Sequence, residues 1–182
     1  MPSLWQLTLR FSATTLNVHP KIESLPVMRD DCYTCRMNAI LPADLPPREC
    51  VLDDGRWRVA HAIGSGLLGW MVIVPHRHMT SLSEMTPDEA DALGPLMQRL
   101  STALEVVTGA MKCYVVFLAE APGFQHVHLH VIPRLVDAPP ERVGIGAMQY
   151  LAVPNSESVS HDEMDRISTK IREKMTHQQE TP

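Results

Sequence analysis

Three histidines alternate with apolar residues in His126-Val127-His128-Leu129-His130-Val131-Ile132. Side chains alternate across a strand, so the three imidazoles would share one face and Val127, Leu129 and Val131 the other. An imidazole can ligate a metal, move a proton or attack an electrophile. Same-face neighbours stand roughly 6–7 Å apart, and His126 and His130 about 13 Å apart, by the strand rise. Adjacent pairs can share one ion, but all three on a flat strand converge poorly on it. The pattern therefore favours a central nucleophile, His128, with orienting neighbours. That role needs its second ring nitrogen held by a hydrogen bond, so that the attacking nitrogen is unprotonated. A structural reading is weak, because three buried imidazoles are costly unless each has a partner.

The other reactive side chains are spread along the chain. Cys32 and Cys35 form a C-x-x-C, which suits a zinc knuckle or a redox pair. His76 and His78 follow an apolar run that ends at Pro75. Cys50 and Cys113 fall in expected strands and read as small buried hydrophobes. This spacing is not a secretory disulfide framework and points to a reducing compartment, the cytoplasm.

These residues need a scaffold. Glu49–Asp53 and Arg56–Ile63 read as strands around Asp54-Gly55, a tight-turn signal. Trp57, Val59 and His61 would share one face, with Arg58, Ala60 and Ala62 on the other. Gly69–Val74 is a buried strand ended by Pro75, Lys112–Ala119 is another, and Gln125–Ile132 carries the histidines. Thr86 and Glu89 have capping-box spacing with Pro87 at the first helical position. Leu93, Met97, Leu100, Leu104 and Val107 then repeat at helical spacing; Gly94-Pro95 predicts a bend and Gly109 the end. Ser160 and Glu163 open a second amphipathic helix with the stripe Met164, Ile167, Ile171, Met175. Its apolar face suits docking or a subunit contact better than a membrane. Trp57 and Trp70 read as core. The order of elements gives an α+β fold, a mainly antiparallel sheet with packed helices. Residues 1–27 read as an N-terminal extension, 28–140 as the domain, and 141–182 as a C-terminal extension carrying the helix; Met28 is an alternative start.

Composition excludes several classes. The chain has 182 residues, 45% hydrophobic and 20% charged, enough for one domain with a real core. Its net charge of −5 argues against a protein held on nucleic acid by bulk charge. No apolar run reaches the roughly 18 residues of a membrane span. Residues 1–20 lack a clear apolar stretch followed by a small-residue cleavage site.

The alternating histidines, followed by Pro133-Arg134, resemble the signature of the histidine triad (HIT) superfamily of nucleotide hydrolases and transferases. The resemblance spans about residues 30–135 and takes in Cys32-x-x-Cys35, the strand ending in Pro75-His76-Arg77-His78, and the capped helix. It implies that His128 attacks the α-phosphorus of a nucleotide and carries a nucleotidyl intermediate, with His130 a donor to the phosphate and His126 the third member. The third histidine, where transferases often have glutamine, points to hydrolysis. The resemblance also implies a structural zinc held by Cys32, Cys35, His78 and His126, and a homodimer joined through its sheets. Expected substrates are nucleoside phosphoramidates, dinucleoside polyphosphates or related esters. Two features depart from the family. The ribose-binding aspartate falls on Ala62, with His61 beside it, and the glycine-glutamine-serine-valine run is replaced by Ala121-Pro122-Gly123-Phe124-Gln125. Gln125, His61 and Arg134 are the candidates for substrate contacts, although alternation turns Gln125 away from His126 and a strand-end arginine is usually solvated. The losses keep a second reading in view, a nucleotide-binding or protein-interaction module with little turnover.

Overall fold

The strand signals assemble one five-stranded antiparallel sheet, in the order β1-β2-β3-β5-β4. Its strands are β1 (Leu52–Asp53), β2 (Trp57–His61), β3 (Met71–Pro75), β4 (Lys112–Phe117) and β5 (Leu129–Arg134). The computed structural model describes residues 31–151 and 153–177; the expected extension 1–27 and the alternative start at Met28 lie outside the described residues.

Alternation sends one face of the sheet to the helices. Trp57, Val59, Met71, Ile73, Leu129 and Val131 pack with Leu100, Leu104, Ile167 and Ile171 in one buried core. Helix α2 (Pro87–Thr108) opens with the Thr86/Glu89 capping box and ends at Gly109, whose φ of 70° places it in the left-handed region. Pro95 sits inside α2 without stopping it. Helix α3 (His161–His177) buries Met164, Ile167, Ile171 and Met175, so the expected stripe docks onto the same core as α2. The opposite face bears a smaller apolar cluster of Ala62, Trp70 and Ile132, covered by Ala147 from a 3-10 segment, Gly144–Tyr150. No helix among the described residues is long and apolar enough to cross a membrane.

Every strand differs from expectation: β2 is Trp57–His61 rather than 56–63, β4 is Lys112–Phe117 rather than 112–119, and the other three bear on the site. The first shrinks from 49–53 to Leu52–Asp53, although Val51 N–H still donates to Val59 C=O. The Arg172 guanidinium of α3 takes the carbonyls of Cys50 and Val51 instead. β3 includes Pro75, which is tolerated because the ladder to β5 stops at Ile73. The histidine strand begins at Leu129 rather than Gln125. Ahead of it, Val127 N–H donates to Met79 C=O, so His126–His128 lead into the sheet as irregular backbone.

That late start divides the trio. His128 and His130 face the cavity side of the sheet, whereas His126 turns into a cluster with Cys32, Cys35 and His78. The three imidazoles do not form a single row.

Candidate active site and Cys2His2 cluster

Helix α1 (Tyr33–Asn38) begins at Cys32, so the C-x-x-C spacing stacks Cys32 and Cys35 on one turn. The two thiols meet His78, from the loop after β3, and His126. His126 Nδ1 lies 3.5 Å from Cys32 Sγ, 3.6 Å from Cys35 Sγ and 3.2 Å from His78 Nδ1; Cys35 Sγ and His78 Nδ1 are 3.3 Å apart. A tetrahedral zinc with ordinary bond lengths has N–N edges of about 3.3 Å and N–S edges of about 3.5 Å. These four separations match edges of a zinc tetrahedron, all four donor atoms lie within 4.8 Å of one another, and two thiols with two imidazoles are the donor types zinc takes. The far nitrogen of His126, Nε2, lies 3.0 Å from Pro75 C=O and is the one to carry the proton, which aims Nδ1 at the cluster. Burial, aided by the neighbouring His78 ring, holds the His126 pKa down to about 4, in the neutral form a ligand requires. His76 stays outside the cluster, its Nε2 2.9 Å from Asp53 Oδ1.

Across the sheet from the helices lies a 430 Å³ cavity, whose walls include Arg58, Ala60, Val72, Val74, His128 and His130. His128 Nδ1 is 2.7 Å from His126 C=O. A carbonyl only accepts, so Nδ1 carries the proton and Nε2 keeps its lone pair. Burial lowers the His128 pKa, which keeps that lone pair available. His130 has the opposite arrangement. The indole Nε1–H of Trp70 donates to His130 Nδ1 at 3.0 Å, and indole is a donor only, so the His130 proton resides on Nε2. Burial takes the His130 pKa to about 4, so this neutral tautomer persists at physiological pH. One histidine therefore offers a nucleophilic nitrogen and its neighbour a donor, with ring centroids 4.8 Å apart.

The remaining sequence candidates fare differently. His61 borders the cavity, but its Nε2 accepts from Gly69 N–H at 3.1 Å and its Nδ1 lies 2.9 Å from Ala62 C=O. Both ring nitrogens are thus committed to backbone, and burial lowers its pKa to about 4. Gln125 is exposed and is not among the cavity-lining residues. Arg134 ends β5, where its Nη1 donates to the carbonyls of Leu135 and Val136. Of the three, His61 alone lines the cavity. Ala62 does line the cavity, with no carboxylate to offer. The sequence reading missed Trp70 as more than core, and also the Arg58–Glu49 pair in the cavity wall. A tryptophan facing the histidine strand from β3's leading edge was the available signal for the first.

Comparison with known proteins identifies the family and the fold. The chain belongs to the HIT family: the family model for the HIT domain matches residues 46–136. The fold is similar to a zinc-bound histidine triad family protein from Mycobacterium smegmatis, at 17% identity and a TM-score of 0.57, covering 83% of this chain and 97% of that one. It is also similar to a hypothetical histidine triad nucleotide-binding protein from Sulfolobus tokodaii, at 16% identity and a TM-score of 0.59, covering 79% and 93%. A HIT-like protein from Bartonella henselae involved in cell-cycle regulation matches at 17% identity and a TM-score of 0.55, covering 72% and 89%. No curated protein sequence matches the chain.

The tautomer assignment predicts the effect of Trp70→Phe, which keeps an aromatic ring and deletes the N–H. Nitrogen NMR of His130 should show mixed protonation of its two ring nitrogens in the variant and Nε2–H alone in the wild type. Denaturant unfolding should show a loss of about 1–3 kcal/mol for the stranded acceptor. Identical His130 spectra in the two proteins would refute the assignment.

Proposed function

We propose that this chain is a nucleotide hydrolase acting at the α-phosphorus of nucleoside phosphoramidates, dinucleoside polyphosphates or related esters. The observation that carries the reading is the His128 Nδ1 contact to His126 C=O, which leaves Nε2 as a nucleophile on the cavity wall. In the first step Nε2 bonds to phosphorus and the bond from phosphorus to the leaving group breaks. The leaving group departs with the electron pair and takes a proton from solvent, which the attacking water returns in the second step. In the second step water attacks phosphorus, the P–N bond breaks, and the nucleoside monophosphate leaves with His128 restored. Dividing one displacement into two lowers the barrier to each. His130 Nε2–H supports the phosphate oxygens as their charge grows.

A binding module with little turnover is the second reading, favoured by Ala62 where a ribose-binding carboxylate would stand. Incubation with an adenosine phosphoramidate and a diadenosine polyphosphate separates the two. Wild type should release AMP, and His128→Asn should lose at least roughly a thousandfold in rate, as removal of a nucleophile does. Rapid-quench mass spectrometry should find wild-type chain carrying AMP. Tight binding without AMP release by wild type would leave only the module.

Zinc belongs to the same reading. Cys32, Cys35, His78 and His126 would hold it in a closed four-coordinate site, which ties α1 to the histidine segment and offers no position for water. Cys32 and Cys35 must be thiolates for this, which accords with a reducing compartment such as the cytoplasm. One zinc per chain is expected by elemental analysis. Cys35→Ser, or chelation, should lower the unfolding free energy by several kcal/mol, about 4 where free zinc exceeds its Kd a thousandfold. A metal-free wild type of equal stability would exclude the site.

A homodimer completes the reading. β4 is an edge strand with exposed Val115, flanked by exposed Met111 and Leu118, the sort of edge that pairs with a second copy. Sedimentation at the mass of one chain, at micromolar concentration, would count against it.

A further inference from the structure

One wall of the cavity carries a buried ion pair that the proposed chemistry does not use. Arg58 is 2% exposed and Glu49 6%. Arg58 Nε donates to Asn38 Oδ1 at 2.8 Å, and Nη1 donates to Glu49 C=O and lies 3.5 Å from Glu49 Oε2. Tyr33 Oη donates to Glu49 Oε1 at 2.6 Å. None of these contacts engages Arg58 Nη2. Arg58, Glu49 and Tyr33 all line the cavity beside Ala60, Val72 and Val74. Burying an ion pair costs desolvation that its own attraction seldom repays, so the pair is a poor device for stability alone.

Its position and its charge limit what it can bind. Arg58 pairs with Val74 across β2 and β3, and in the next row of the same face Ala60, Val72 and His130 are registered across β2, β3 and β5. Two strand spacings separate β2, which carries Arg58, from β5, into which His128 leads, about 10 Å. The guanidinium and the carboxylate cancel, so this end has no net charge with which to hold a second phosphate. What it offers is directional: N–H donors at Nη2, and lone pairs on the Glu49 carboxylate and the Tyr33 oxygen. A neutral planar edge with an acceptor beside an N–H donor matches both.

We propose that Arg58, Glu49 and Tyr33 read the base of the nucleotide, through an edge that pairs a carbonyl or ring-nitrogen acceptor with an N–H donor. This rests on the nucleotide reading above and adds where specificity resides. A hydrogen bond to a charged partner is strong enough to change affinity by roughly tenfold or more.

Nucleoside monophosphates are products, so calorimetric titration of the wild type is free of turnover. GMP, AMP, UMP and CMP each offer a paired edge; purine riboside 5′-monophosphate lacks the N–H, and ribose 5-phosphate lacks the base. At least one natural monophosphate should bind roughly tenfold or more tighter than purine riboside monophosphate, and ribose 5-phosphate should bind most weakly. The double variant Arg58→Met/Glu49→Gln removes both charges together and should bring the affinity ratio between the preferred natural monophosphate and purine riboside monophosphate close to one. Equal affinity of wild type for natural and edge-deleted ligands would overturn the inference, as would a folded double variant that still discriminates. Should the double variant not fold, the wild-type series alone decides. No binding by any monophosphate would instead overturn the nucleotide reading, and this inference with it.

Discussion

His126 holds the site together through three of its polar atoms. Ring Nε2 is fastened to Pro75 C=O at the end of β3, and ring Nδ1 points at the two thiols and His78. Its backbone carbonyl receives the His128 ring. One residue thus couples the orientation of the Cys2His2 cluster to the protonation state of its neighbour. The constraint is geometric: with Nε2 committed to a carbonyl, His126 has one nitrogen left for the cluster, and the main chain is then placed to fix His128. A side chain without two ring nitrogens cannot hold both ends.

This division of labour was only half visible in the linear sequence. Period-2 alternation gave the correct faces for Val127, Leu129 and Val131, because burial against the helices is a strong, repetitive signal. It placed the three imidazoles in one row because it assumed regular strand from Gln125. The local competition of Met79 C=O for Val127 N–H, between residues distant in the chain, breaks that assumption. The four cluster residues were legible through family resemblance, since cysteine and histidine at those places carry chemistry that few other roles demand. His61 does border the cavity, but that both of its ring nitrogens meet backbone could not be read from the sequence.

Polar groups buried by tertiary pairing were the least readable. Trp70 looked like core, and it is core, fully buried; its N–H nevertheless sets the His130 tautomer. Arg58 alternates correctly onto the cavity face, yet nothing in its neighbours along the chain announces Glu49 and Asn38 as partners. Sequence periodicity reports which face a residue takes. It does not report which lone pair waits there.

The hairpin bearing Arg58 is braced from behind by the last described helix. Arg48 meets Asp165, 117 residues away, and Arg172 reaches the carbonyls of Val51 and Cys50 at separations of 121 and 122. During synthesis, then, the ribosome must deliver the chain through Arg172 before that hairpin acquires its full support. Contacts of such long separation also slow closure of the nascent fold. No residue of α3 lines the cavity, so this helix bears on the pocket only through the hairpin it braces.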